Sequence, residues 1–362
     1  MLRLPIDVLK DFMLEVFTRI GVPAADARIC ADILIASDLK GIESHGIGRL
    51  KMYYDRIKAG IQQPVTQIDV IRDKYATAVW DGNHGMGHVI GYKAMETALD
   101  RAEKYGLGAV AVRNSTHYGI CGYYAEMATR RDMIGLTFTN ARPSVCPTHG
   151  VQPLLGTNPI CFGAPTDLDF PFIYDAATSI SQRGKIEQYA REEKETPSGW
   201  AIDLEGKEHT DTNRLLTDLV KQTASLLPIG GTDELSGSHK GYGLSTMVEI
   251  LCAALQQGSY LNGLLGQDEA GKPAPYRLGH FFLAINIVFF TEVAEFKKTC
   301  GAICRELQRS KLFPGCERIY VAGEKEYEKE LEVRKYGVPI IPNLQRDIQI
   351  MQNELHLDML KF

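Results

Sequence analysis

The stretch AVWDGNHGMGHVIGYKAM, residues 78–95, decides which fold this chain of 362 residues adopts. An apolar, β-type run, ATAVW (76–80), leads into it, and a helix-type pattern follows from Gly91 to Lys104. Between them, Gly85-x-Gly87 has the form of the start of a dinucleotide-binding turn. That fingerprint needs G-x-G-x-x-G, because its third glycine lets helix and strand pack closely. Here the third glycine is Gly91, one residue late. An acidic residue roughly 20 positions on should meet a ribose. Asp100 and Glu103 fall too early, inside the following helix, and the next strand, GAVAVRN, ends on Asn114. Gly85 to Gly91 therefore reads as a strand-to-helix turn whose glycines allow close backbone packing, and not as a Rossmann fingerprint.

Strands and helices alternate beyond this turn. Gly108–Asn114 reads as a strand, Tyr123–Arg131 as a helix and Ile134–Asn140 as a strand, with further strands in ICFGAP and FIYDAAT. This alternation points to a layered α/β domain. The first sixty residues instead read as three helices, Pro5–Ile20, Ala24–Lys40 and Ser44–Ala59, each ended by a glycine. Arg191–Gly206 is polar and reads as a surface loop. Later helices are expected at GYGLSTMVEILCAAL, Thr291–Leu312 and Pro342–Phe362, and FFLAINIVFF (281–290) reads as a buried strand.

Hydrophobic residues make up 44% and charged residues 23%, so the chain can bury a large core. A net charge of −5 argues against bulk binding to nucleic acid or an anionic membrane. The N-terminal stretch is an amphipathic helix and not a signal peptide, and FFLAINIVFF is too short to span a bilayer. Eight scattered cysteines without a CxxC pair fit reduced thiols and a cytoplasmic setting. Cys300 and Cys304 share a helix face, but two ligands do not make a metal site.

Histidines carry the chemical signal. In ESHGIGRLKMYYDRI, a helix would align His45, Arg49 and Tyr53 on one stripe, with Ser44 beside them. Histidine titrates near neutrality, and arginine can grip a carboxylate through two hydrogen bonds. A solvated helix face would show the same spacing, so the pattern alone leaves both readings open. His117, in NSTHYGICGYY, sits just past a strand end, where α/β folds place chemistry. In DAATSISQRGKI and GSHKGYG, backbone amides with Arg183, Lys185 and Lys240 could receive phosphates. GTNPICFGAP offers amides and hydroxyls to a ligand. No HExxH, Walker A or GxSxG sequence is present; His84 and His88 are four apart but lack a third ligand.

Together these stretches resemble one family, the malate/L-lactate dehydrogenases that lack a Rossmann fold, whose relatives include sulfolactate, ureidoglycolate and diketogulonate oxidoreductases and cyclic-imine reductases. The resemblance covers nearly the whole chain. It rests on SHGIGRL, DGNHGMGHVIGYKAM, NSTHYGICGYY, GTNPICFGAPT, DAATSISQRGKI, SGWAID, HKGYGL and GHFFLAIN. It implies an α/β fold with a mixed-sheet cofactor and substrate domain over residues 76–290. A helical domain would form from residues 1–75, joined in space by about 291–362. It also implies a homodimer and hydride transfer between a nicotinamide and a 2-hydroxy or 2-oxo acid, with L-malate/oxaloacetate as the leading pair. The cofactor would be NAD or NADP, with NAD favoured; no metal is implied.

Residue by residue, the resemblance puts the proton-transfer histidine at His45 beside Ser44, with Arg49 and Tyr53 on the substrate side and His117 as a second active-site histidine. Either histidine could be the acid. Thr157 and Asn158 become candidate substrate contacts. Cofactor contacts would fall on Asp175, Ala176, Ala177, Thr178, Ser179, Ile180 and Ser181, on His239 and Lys240, and on Gly323 and Glu324. Three positions depart from the usual motifs: Ala176 in DAATS, Gln182 in SQRGKI and Ala322 in AGE. Rival readings are another substrate for the same chemistry, a metal-dependent hydrolase, or a catalytically silent ligand-binding dimer.

Overall fold

The computed structural model describes residues 2–362. In chain order the elements begin with β1 (Leu2–Leu4), α1 (Ile6–Arg19) and α2 (Ala24–Leu39). Two 3₁₀ turns, Glu43–His45 and Ile47–Arg49, lead into α3 (Leu50–Lys58). Next come β2 (Asp69–Lys74), β3 (Thr77–Asp81), α4 (Gly87–Tyr105), β4 (Leu107–Ser115), α5 (Cys121–Thr129) and β5 (Met133–Thr139). After these come β6 (Ile160–Ala164), β7 (Phe172–Ala176), α6 (Arg183–Arg191), β8 (Ala201–Asp203), α7 (Thr212–Lys221) and β9 (Ala224–Leu226). The chain closes with α8 (Ser238–Ala253), β10 (Leu278–Asn286), α9 (Val293–Gln308), α10 (Glu324–Tyr336), β11 (Val338–Ile340) and α11 (Pro342–Leu355).

Seven strands form one mixed sheet in the order β2-β3-β4-β10-β5-β6-β7. Only β3 and β4 run parallel; the remaining pairs are antiparallel. A doubly wound dinucleotide fold would need a mostly parallel sheet, so the incomplete glycine fingerprint and the topology agree. The apolar sides of α4 and α5 cover one face, packing Ala94, Ala98 and Tyr124 against Val110, Val112 and Phe282. The other face receives α8, through Val248 and Cys252 against Phe138 and Phe281. Partners on both faces explain the apolar run Phe281–Ile285, but the expected strand stops at Asn286, and Val288, Phe289 and Phe290 beyond it are exposed.

The N-terminal helices form a second core. Helix α1 buries Leu9, Phe12, Met13, Val16 and Phe17, spaced as one helical stripe. These residues meet α2, α3 and the C-terminal elements through Val333, Val338, Ile340, Ile348 and Met351. Each such side chain contributes about 1.5–3 kcal/mol of burial. Helix α9 does not join this core: Arg305 and Lys297 tie it to Asp167 and Asp132 beside the sheet. A smaller apolar cluster, Val145, Leu155, Ile186, Leu215 and Leu226, supports α6, α7, β8 and β9.

The expected third helix starts late. A single helix over Ser44–Ala59 is replaced by two 3₁₀ turns with extended Gly46 between them, and the α-helix begins at Leu50. The glycine-rich turn spans Gly82–Met86, and α4 already begins at Gly87. A Cβ on Gly87 would overlap the carbonyl oxygens of Thr116 and His117, and one on Gly91 would meet the Tyr124 ring at 2.8 Å. These glycines are therefore packing positions. Gly87→Ala should lower stability by about 1–3 kcal/mol, as overpacking against backbone does. An unchanged urea midpoint would show that the contact relaxes freely.

Candidate active site

The turn that carries His45 is held from beneath by a buried acid. Asp38, near the end of α2, is 2% exposed, and its Oδ2 accepts the Ile47 N–H at 2.8 Å. A Cβ on Gly46 would collide with this carboxyl group. The acid thus requires glycine at 46 and breaks the helix there. Burial, with the nearby Glu43 charge, pushes Asp38 up to about 8. Sequence reading passed over Asp38, although an acid within the apolar run ILIASDL was its signal.

Breaking the helix removes the i, i+4, i+8 stripe, yet its members still converge. His45 and His117 stack with ring centroids 5.3 Å apart. Ser44 Oγ lies 2.9 Å from His45 Nδ1. The Tyr53 hydroxyl lies 2.5 Å from His117 Nδ1, and the Gly119 N–H reaches the same nitrogen at 3.4 Å. Burial pushes the Tyr53 phenol well up, so it remains a proton donor. Burial and then the Arg49 charge pull His45 down to about 4; burial, followed by the His45 and Arg49 charges, also lowers His117. Both rings are neutral near pH 7.

Arg49 is already partly engaged. Its Nε donates to the Ser44 carbonyl at 2.6 Å, and Nη2 stands 4.0 Å from Glu187 on α6. The side-on fork is therefore closed, and only the terminal nitrogens can meet a carboxylate. His45 and His117 line a cleft of roughly 540 Å³ with Thr157, Asp175, Ala176, Ala177, Ser179, Ile180, Ser181 and Lys185. Asp175 and Ala176 also line an adjoining cavity of roughly 400 Å³ that reaches Gly323 and Glu326.

An extended dinucleotide suits this double cavity. The Ser181 Oγ is buried without a hydrogen-bond partner and lies in the cleft wall, a donor set toward a ligand. Gly323, at φ +90, brings its backbone against the Pro171 carbonyl, where a side chain would collide.

The profile of the malate/L-lactate dehydrogenase family matches residues 4–349. This chain belongs to that family. It is 46% identical to a malate dehydrogenase of Pyrococcus abyssi, over 93% of this chain and 91% of that protein. It is 38% identical to an L-sulfolactate dehydrogenase of Methanocaldococcus jannaschii, over 97% and 96% of the two chains. The crystal structure of malate dehydrogenase from Entamoeba histolytica superposes with a TM-score of 0.96 at 44% identity, covering 100% of this chain and 99% of that one. The protein is thus a dehydrogenase of the malate/L-lactate family, built on the mixed-sheet fold of its solved relatives.

Several residues expected at this dehydrogenase's site lie elsewhere. Asn158 is fully buried: its Nδ2 donates to Glu249 at 2.8 Å and to the Ser245 carbonyl, and its Oδ1 accepts Ala141 N–H. Its amide braces the loop and does not face the cleft. The Thr178 hydroxyl likewise donates to the carbonyls of Thr157 and Asn158. Glu324 accepts from Val321 N–H, Gln308 and Arg318, so its carboxylate fastens the start of α10. His239 and Lys240 are exposed on the first turn of α8 and do not line the cleft. The next residue, Gly241, packs on Ile229, whose N–H bonds the Thr178 carbonyl. His84 Nδ1–H donates to the Tyr276 carbonyl at 3.0 Å, apart from the buried His88.

Asp38 yields a pH test. In the folded protein it keeps its proton up to about pH 8, whereas an unfolded aspartate loses it near pH 4. Between these values the native state binds a proton that the unfolded state has released, so stability falls as pH rises. Asp38→Asn should flatten this slope in urea denaturation between about pH 5 and pH 8. Equal slopes for wild type and variant would refute a neutral Asp38.

Proposed function

We propose that the protein interconverts L-malate and oxaloacetate with NAD. The observation that carries this reading is the pair of stacked neutral histidines in the cleft wall together with Lys185, with Arg49 reaching the neighbouring Gly184. Lys185 lies in the cleft wall, and Arg49 Nη2 is 3.8 Å from the Cβ position of the adjacent Gly184. A second cation is what a dicarboxylate needs beyond a monocarboxylate. The names of relatives at 44–46% identity support the same substrate.

The nicotinamide, when bound, supplies or accepts the hydride. Asp175 to Ala177, Ser179 to Ser181 and the Gly323 backbone would hold the dinucleotide. Arg49 holds the substrate carboxylate through its terminal nitrogens. That carboxylate offsets the Arg49 charge, the lesser cause of the His45 depression after burial, and so favours the protonated ring. His45 then protonates the carbonyl oxygen during reduction and takes the proton back during oxidation. His117, with Nδ1 occupied by two donors, presents Nε2–H to the same oxygen and orients it. Ser44 steadies His45, and Tyr53 steadies His117. Thr157 lies in the wall beside the substrate.

Charge in the second cavity favours NAD. Lys40 is tied to Glu126 and Glu330, and Arg334 to Glu330, which leaves Asp169 and Glu326 without a cation among the described residues. Such carboxylates disfavour a 2′-phosphate. A homodimer is supported by the outer face of α8, where Leu244, Met247 and Ile250 stand exposed next to an apolar groove of roughly 450 Å³. All eight cysteines are free thiols, which supports a cytoplasmic setting. No helix among the described residues is long and apolar enough to cross a membrane.

The test is a panel of oxaloacetate, pyruvate, sulfopyruvate, a sugar-derived 2-oxo acid and a cyclic imine with NADH and NADPH, together with ureidoglycolate oxidation. Oxaloacetate with NADH should give the highest kcat/KM; a rival pair above it would overturn the assignment. His45→Ala should lower kcat by at least about 100-fold while cofactor fluorescence titration stays unchanged. Near-normal turnover in that variant, with loss in His117→Ala, would exchange the two roles.

A further inference from the structure

We propose that His88 is a positioning residue that locks His117 in its Nε2–H form. His88 is the second residue of α4, just past the glycine-rich turn. Its ring is fully buried, and neither nitrogen has a hydrogen-bond partner. Unpartnered buried polar atoms are costly, so their presence calls for an explanation. Burial, reinforced by the nearby His45, pulls His88 down to about 3 and keeps it neutral.

The ring leans on two groups. Tyr53 meets it edge to face, with centroids 4.7 Å apart and planes at 64°. Gly119 packs against it too, where a Cβ would stand 3.3 Å from Cδ2 and 3.4 Å from Nε2. Tyr53 and Gly119 are the two donors to His117 Nδ1. One five-membered ring therefore backs both hydrogen bonds that fix the His117 tautomer. With Nδ1 occupied as an acceptor, the neutral ring carries its proton on Nε2. If either donor retreats, the Nδ1–H form becomes accessible and Nε2 loses the hydrogen that holds a carbonyl oxygen. A planar ring is what the gap between Tyr53 and Gly119 requires; the nitrogens are tolerated there.

The consequence for turnover rests on the dehydrogenase reading, whereas the tautomer does not. The experiment is ¹⁵N NMR of histidine-labelled, ligand-free protein, with His117 assigned by its loss in His117→Gln. Wild type should show His117 as Nε2–H. His88→Ala should show a mixture of tautomers, and His88→Phe, which keeps a planar ring, should restore the Nε2–H form. In assays His88→Ala should lose about tenfold or more in kcat with cofactor KM little changed, since a misplaced orienting group costs that much. A folded His88→Ala that keeps the Nε2–H form would overturn the proposal. So would a folded His88→Phe that loses it, and each variant is decisive alone. Failure of the substrate panel would leave the NMR result intact.

Discussion

Gly87 lies so close to the backbone at the end of β4 that its missing side chain is a structural requirement. Its N–H donates to the Thr116 hydroxyl at 3.0 Å, and that hydroxyl donates back to the Gly85 carbonyl at 2.8 Å. Further bonds run from Gly82 and His84 to the carbonyls of Arg113 and Asn114. This stitching joins the start of α4 to the end of β4, the parallel neighbour of β3. Helix α4 brings His88, and the strand end brings His117. A glycine pattern that resembles phosphate recognition thus acts here as the seam on which the two histidines are mounted.

A second constraint works from the helical side. Asp38 holds the Ile47 N–H and forbids any side chain at Gly46, so the chain must leave helical geometry before α3. That departure turns His45 toward the cleft while α3 carries Tyr53 beneath His117. The site forms where two separately built cores meet, one of packed helices and one around the sheet. His45 comes from the helical side and His117 from the sheet side. Burial then tunes the meeting point: it holds the imidazoles neutral and the phenol protonated.

Much of this was legible in the chain. Helices α1 and α2 follow apolar stripes bounded by glycine, and the β3–α4–β4–α5–β5 alternation follows from pattern alone. His45, Arg49, Tyr53 and His117 were singled out and do converge, although for a reason other than the helical stripe first inferred. Asn158, Thr178 and Glu324 turn their side chains to protein partners, and a polar residue in a motif looks the same whether it faces a ligand or braces a loop. Their partners, Glu249, the Thr157 carbonyl and the Val321 N–H, are distant in sequence or hidden in backbone. The elements β1, β2, α6, α7, α10 and β11 went unread, although α7 turns Leu215 and Leu219 inward on one helical face.

What the sequence determined by itself was local: periodicity set helix and strand, and the late third glycine argued against the doubly wound fold. Motif order placed the chain among its relatives. Only the tertiary structure decided which side chains share a space. It set the order of the sheet, buried Asp38 beneath the His45 turn, and placed His88 against Tyr53 and Gly119. The physical reason is that hydrogen bonding, burial and close approach depend on partners remote along the chain. A residue's type limits what it can do, and its enclosure decides which of those things it does.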